Sequence, residues 1–187
     1  MPRGNKELWL SLLAGAIITA IYGFVVFSTR AIPSASELFG HTLGILGFLL
    51  MLMTEILYSL RKRSRTARWG RMSAWLQFHI FSGLVGPYLV LLHTSWKFNG
   101  LAGATTLLTV IIVISGFIGR YIYTRIPRTL DGVEIETPGG QFQNAALARA
   151  RRLLAIWHVV HIPIGMALFT AAFIHIGAAL YYATLMR

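Results

Sequence analysis

The chain has 187 residues, a formal net charge of +11, 56% hydrophobic but only 12% charged residues, and no cysteine. Soluble domains carry roughly 25% charged residues, so this composition excludes an ordinary soluble globule and points to a chain in contact with lipid. The missing cysteine excludes disulfides, cysteine-held iron–sulfur clusters, thiolate-ligated haem and covalent c-type haem within this chain, which leaves histidine as the main metal-ligating side chain.

Five stretches reach the roughly twenty apolar residues that a bilayer span needs: residues 8–27, 38–60, 73–96, 101–123 and 153–182. All are expected to be helices, because lipid offers backbone polar groups no outside partner and five long segments do not close a barrel. The first follows Pro2, Arg3 and Lys6, and its length favours a retained membrane helix over a cleaved leader. The second opens on Ser34-Ala35-Ser36-Glu37 after Pro33, which predicts a capping box closed by Ser34 and Glu37. The third carries His79 and His93, and the fourth ends near Arg120 and Arg125.

Residues 124–152 form the one sizeable loop. Its Asp131-Gly132 and Pro138-Gly139-Gly140 are turn chemistry, so a short ordered loop or hairpin is expected. The fifth apolar run exceeds the bilayer and is expected to continue from the basic stretch 141–152, which would lie first along the membrane surface. The expected organisation is a single membrane domain over 1–187, with too little chain outside the spans for a flavin or nicotinamide fold.

A net charge of this size can signal nucleic acid, but its distribution here argues against that partner. With the N-terminus inside, Arg3, Lys6, Arg61, Lys62, Arg63, Arg65, Arg68, Arg71, Arg120, Arg125, Arg128, Arg149, Arg151 and Arg152 fall inside, against Arg30, Lys97 and Arg187 outside. This positive-inside bias predicts a cytoplasmic N-terminus and a periplasmic C-terminus in a bacterial inner membrane. Trp9, Trp69, Trp75, Trp96 and Trp157 fall at the ends of the predicted spans, where indole rings sit at headgroup level.

His79 and His93 stand fourteen residues apart in one span, and His161 and His175 fourteen apart in another. At ~100° per residue, fourteen steps return to within roughly 40° of the starting direction while climbing about 21 Å. Each span therefore offers two imidazoles on one face. Both spans run from inside to outside, so His79 and His161 share the inner leaflet and His93 and His175 the outer. Low-spin haem iron with one axial imidazole on each side needs that arrangement, and an ionisable residue inside a membrane is a functional residue by default. Gly83 and Gly86 on one histidine face, and Gly165 on the other, predict close backbone approach to a haem.

Of the remaining candidates, His158 stands seventeen residues before His175, about 100° off that face, so His161 is the expected ligand and His158 meets a propionate, a quinone or the headgroups. His41, at the depth of the outer haem, is a candidate quinol or proton-relay residue. Glu55 is the one acid well inside a predicted span, with a proton-carrying role or a contact to Arg61 expected. Arg120 and Arg125 are candidates to pair with haem propionates.

Paired histidines at this spacing on two helices of a four-helix bundle resemble the cytochrome b of quinol-oxidising respiratory complexes, and also the ferric-reductase-like transmembrane domain. The resemblance covers roughly residues 38–182 and rests on His79, His93, His161 and His175, with the nearby glycines as weaker support. It implies that those four residues are bis-histidine ligands of two non-covalent haems b. The expected fold is thus all-α and integral to the membrane, with five transmembrane helices, four of them in a haem-binding bundle. The expected function is electron transfer across the bilayer as the cytochrome b subunit of an oxidoreductase, linking the quinone pool to a partner subunit at one membrane face. Two rival expectations are a stand-alone membrane reductase of ferric chelates or oxygen, and a haemless transporter or structural subunit whose histidines form a proton pathway.

Overall fold

The computed structural model describes residues 5–63, 70–127 and 141–185. The expected turns over 128–140, the acids Asp131, Glu134 and Glu136, and Pro2, Arg3, Arg65, Arg68, Trp69, Arg128 and Arg187 lie outside the described residues. Five α-helices follow in chain order, α1 (Lys6–Thr29), α2 (Leu38–Arg63), α3 (Met72–His93), α4 (Gly100–Thr124) and α5 (Gln141–Leu185). Each contains a segment long and apolar enough to cross a membrane, and no strand occurs among the described residues. The chain is an all-α integral membrane protein. Its outward faces agree: Phe24 is 71% and Val159 74% exposed, a placement that lipid tolerates and water does not.

The helix ends show what apolar length alone misses. Before α2, the Ser34 N–H donates to Glu37 Oε2 at 3.3 Å, which is one half of the predicted capping box. The other half differs, because Ser34 Oγ takes the N–H of Ser36 while the Glu37 N–H goes to the Ser34 carbonyl. Helix α3 stops at His93 and not at the expected residue 96. Ser95 and Trp96 adopt φ of 51° and 62°, a left-handed conformation that cannot continue an α-helix. Ser95 is also pinned by its hydroxyl, which donates to the Pro33 carbonyl at 2.6 Å.

Helix α5 is 45 residues long, about 68 Å at 1.5 Å per residue. The basic stretch 141–152 forms its opening turns, continuous with the fifth span as the sequence predicts. Pro163 lies within the helix without ending it, although it has no N–H to donate to the carbonyl one turn back.

The chain divides into two compact units, Met1–Phe98 and Asn99–Arg187. In the first, α3 packs on both α1 and α2. Leu43, Val85, Leu89 and Leu92 form its core, with Ala14, Ile18 and Tyr22 of α1 packed against them. Helices α2 and α3 approach closely because glycines face each other. A Cβ on Gly47 would lie 2.7 Å from the Gly86 carbonyl oxygen, and one on Gly86 would lie 2.7 Å from Met51 Cγ. Hydrogen bonds between helices add to this packing, from Thr54 to Ser82 across α2 and α3, and from Thr19 to Tyr88 at 2.6 Å across α1 and α3. In lipid the hydrophobic effect does not drive helices together, so small-residue packing and such bonds hold them. In the second unit α4 packs on α5. There Ile126, Ala150 and Leu154 form a core flanked by Ile122, Tyr123, Leu147 and Trp157.

Candidate functional site

The first unit holds His79, His93, His41 and Glu55, and the second holds His161, His175 and His158. His79 lies two turns into α3, facing α2. Its ring centroid is 4.8 Å from that of Tyr58, and its Nδ1 is buried without a hydrogen-bond partner among the described residues. A buried polar nitrogen left unpaired costs on the order of 1–3 kcal/mol, so this atom is a place where a partner is expected.

His93 is the last residue of α3 and is held by α2. Its Nδ1 lies 2.8 Å from the Gly40 carbonyl oxygen. A carbonyl only accepts, so the proton of the neutral ring sits on Nδ1 and the lone pair on Nε2. The ring itself occupies the space that Gly44 leaves, where a Cβ would lie 2.8 Å from the imidazole Cγ. The Gly40, Gly44 and Gly47 stripe of α2 thus seats an imidazole at one end and packs against α3 farther along. His41 is exposed, with its ring centroid 6.4 Å from that of His93 in an edge-on arrangement, so these two predicted residues are brought together.

In the second unit, His161 Nδ1 lies 2.9 Å from Ser115 Oγ of α4. Its ring stacks on Trp157, centroids 4.5 Å apart and planes 28° from parallel. Trp157 Nε1 donates to the Ser115 carbonyl at 2.7 Å and to Ser115 Oγ at 3.1 Å. The indole lies where Gly119 has no side chain, since a Cβ there would collide with it. His158 differs: its Nδ1 donates to the Leu154 carbonyl, 2.9 Å away and one turn back on its own helix. Helix α4 therefore holds the Nδ1 of His161, while α5 itself holds that of His158. His175 follows fourteen residues after His161, half-buried.

The other predicted residues are placed as follows. Gly83 faces open space, since nothing lies within 4 Å of where a Cβ would stand, whereas the space beside Gly86 is taken by α2, and a Cβ on Gly165 would stand at ordinary contact distance, 3.9 Å, from Ile112 of α4. Glu55 is exposed and accepts a hydrogen bond from Ser59 Oγ at 3.2 Å. Arg61 Nη2 donates to the Gly70 carbonyl at 3.2 Å. Arg125 Nη2 donates to the Tyr121 hydroxyl at 2.5 Å and its guanidinium lies over the same ring, while Arg120 is half-buried near the end of α4. Among the described residues no three His, Cys, Asp or Glu side chains gather as a metal site.

Neither Ser115 nor the role of Trp157 can be read from the span pattern, which places Trp157 at headgroup level. In the structure Trp157 is well inside α5, which begins at Gln141, and its indole packs on α4. Two i,i+4 spacings carry the signal in retrospect, Trp157 to His161 on one helix and Ser115 to Gly119 on the other. No protein-family model, curated protein or solved structure matches the chain.

Proposed function

We propose that this chain is a membrane electron-transfer protein that holds two non-covalent b-type haems and passes electrons across the bilayer. The residues that would hold the haems are His79 and His93 of α3 and His161 and His175 of α5. The observation that carries this reading is the seating of His93. Its Nδ1–H is engaged by the Gly40 carbonyl and its ring rests on Gly44, so orientation and tautomer are set with the lone pair on Nε2. A metal-bound histidine characteristically donates its other ring N–H in this way, and the bond raises the basicity of the ligating nitrogen. His161 has a comparable anchor in Ser115 and Trp157, and the unpartnered Nδ1 of His79 is a donor set still open to completion. These residues fit a haem, whose macrocycle supplies four ligands and leaves two to the protein.

When bound, haem supplies reversible Fe(II)/Fe(III) cycling, and no substrate bond need be made or broken in this chain. The protein's part is to hold the imidazoles, fix their orientation and keep water from the low-dielectric interior. The distribution of basic charge favours an N-terminus in the cytoplasm of a bacterial cell. His41 beside His93 favours quinol as the donor at the outer side, with a redox partner protein at one membrane face.

Optical spectra and haem extraction of the purified protein test this. Two low-spin haems b per chain are expected. His79→Ala, His93→Ala, His161→Ala and His175→Ala should each cost one haem, and His158→Ala none. Haem-free wild-type protein overturns the reading, and loss of a haem in the His158 variant with retention in the His161 variant overturns the choice of ligand.

A further inference from the structure

We infer that Trp157 and Ser115 are positioning residues for His161, fixing the plane of its imidazole and the hydrogen bond on its Nδ1. The inference rests on the haem reading above, and it deepens that reading by naming residues that set the properties of one haem and not the other.

The geometry is a closed set of four groups on two helices. Trp157 stacks on His161 at 4.5 Å, which restricts rotation of the imidazole out of its plane. The indole is itself fixed by two hydrogen bonds to Ser115, one to the carbonyl and one to the hydroxyl. The same hydroxyl meets His161 Nδ1 at 2.9 Å. Gly119 provides the gap that admits the indole. An indole N–H only donates, so Ser115 Oγ accepts from Trp157, and with iron on Nε2 the proton of His161 sits on Nδ1 and is donated to the same oxygen. Ser115 thereby ties ring orientation and ligand basicity to one side chain. The Nδ1 of His158, one position from Trp157, is committed instead to the Leu154 carbonyl of its own helix. The clamp on His161 therefore distinguishes two histidines three residues apart.

The experiment uses the full-length purified protein, reading haem content, the low-spin EPR g-values, which follow the angle between axial imidazole planes, and the two midpoint potentials. Trp157→Phe keeps an aromatic stack and removes the indole N–H, and Ser115→Ala removes the hydroxyl from both partners. Each should shift the g-values and potential of one haem, the same haem in both variants, and leave the other unchanged. In Ser115→Ala, retention of that haem should weaken on the order of 10- to 100-fold, as for other partners of metal-bound histidines. Ser115→Thr, which restores the hydroxyl, should return the signals to wild type. Wild-type protein without haem overturns the haem reading and this inference together. Two haems in the wild type with unchanged signals in both variants overturn this inference alone, as do equal changes at both haems or a Ser115→Thr variant that behaves like Ser115→Ala.

Discussion

A glycine can seat an imidazole as effectively as a side chain can, and Gly44 is the case in point. Its missing Cβ is filled by the His93 ring, and the carbonyl one turn earlier, at Gly40, holds the ring nitrogen. Gly44→Ala puts a carbon 2.8 Å from the imidazole, so either the ring moves or the helices part, at a cost of about 1–3 kcal/mol for overpacking. The control is Gly23→Ala in α1, where nothing lies within 4 Å. Thermal denaturation in detergent should show Gly44→Ala less stable and Gly23→Ala unchanged or slightly stabilised, helix propensity alone favouring alanine by about 1 kcal/mol. In the Gly44 variant the spectrum of the haem assigned to His93 should change and the other should not. Equal stability of the two variants would remove Gly44 from the seating of His93. The four ligand candidates are legible in the sequence because a fourteen-residue repeat is a one-helix property. Gly44 and Gly119 stand out as small residues, but the rings they seat, and the role of Ser115, are not legible, because each acts on a residue of another helix, and periodicity within a helix says nothing of register between helices.

The same division holds for the helices themselves. All five spans can be read from apolar length, since a bilayer demands it. Their ends cannot, because ends are decided by local backbone chemistry. Ser95 and Trp96 leave α3 through left-handed conformations that no glycine announces, whereas the continuation of the basic stretch 141–152 into α5 is legible, because it is a good helix former with no breaker before the span. Five spans crossing in alternation place the α3–α4 connection and the α4–α5 connection on opposite sides of the membrane. The absence of native cysteine makes this directly measurable by single-cysteine labelling. A membrane-impermeant maleimide should label a cysteine at Asn99 in intact cells, and one at Asp131 only after lysis. Labelling of Asp131 in intact cells would invert the proposed orientation and exchange the inner and outer positions of all four histidines.

For the molecule as a whole, the distance between the two histidines of one span bears on why two haems would be held. Fourteen residues of helix separate them by about 21 Å, a large part of a hydrocarbon core about 30 Å thick. A reductase working at one face needs one haem, whereas two at this separation, as proposed, would serve to relay electrons through the slab. The proposal is tested most directly in vesicles reconstituted with the purified protein and loaded with a membrane-impermeant oxidant. A reductant added outside should reduce the internal oxidant at a rate that depends on the protein, and both His79→Ala and His93→Ala should abolish that flow while leaving the vesicles sealed. Flow that persists with either haem removed, or is absent from wild-type protein carrying both haems, would contradict transmembrane electron transfer by this chain.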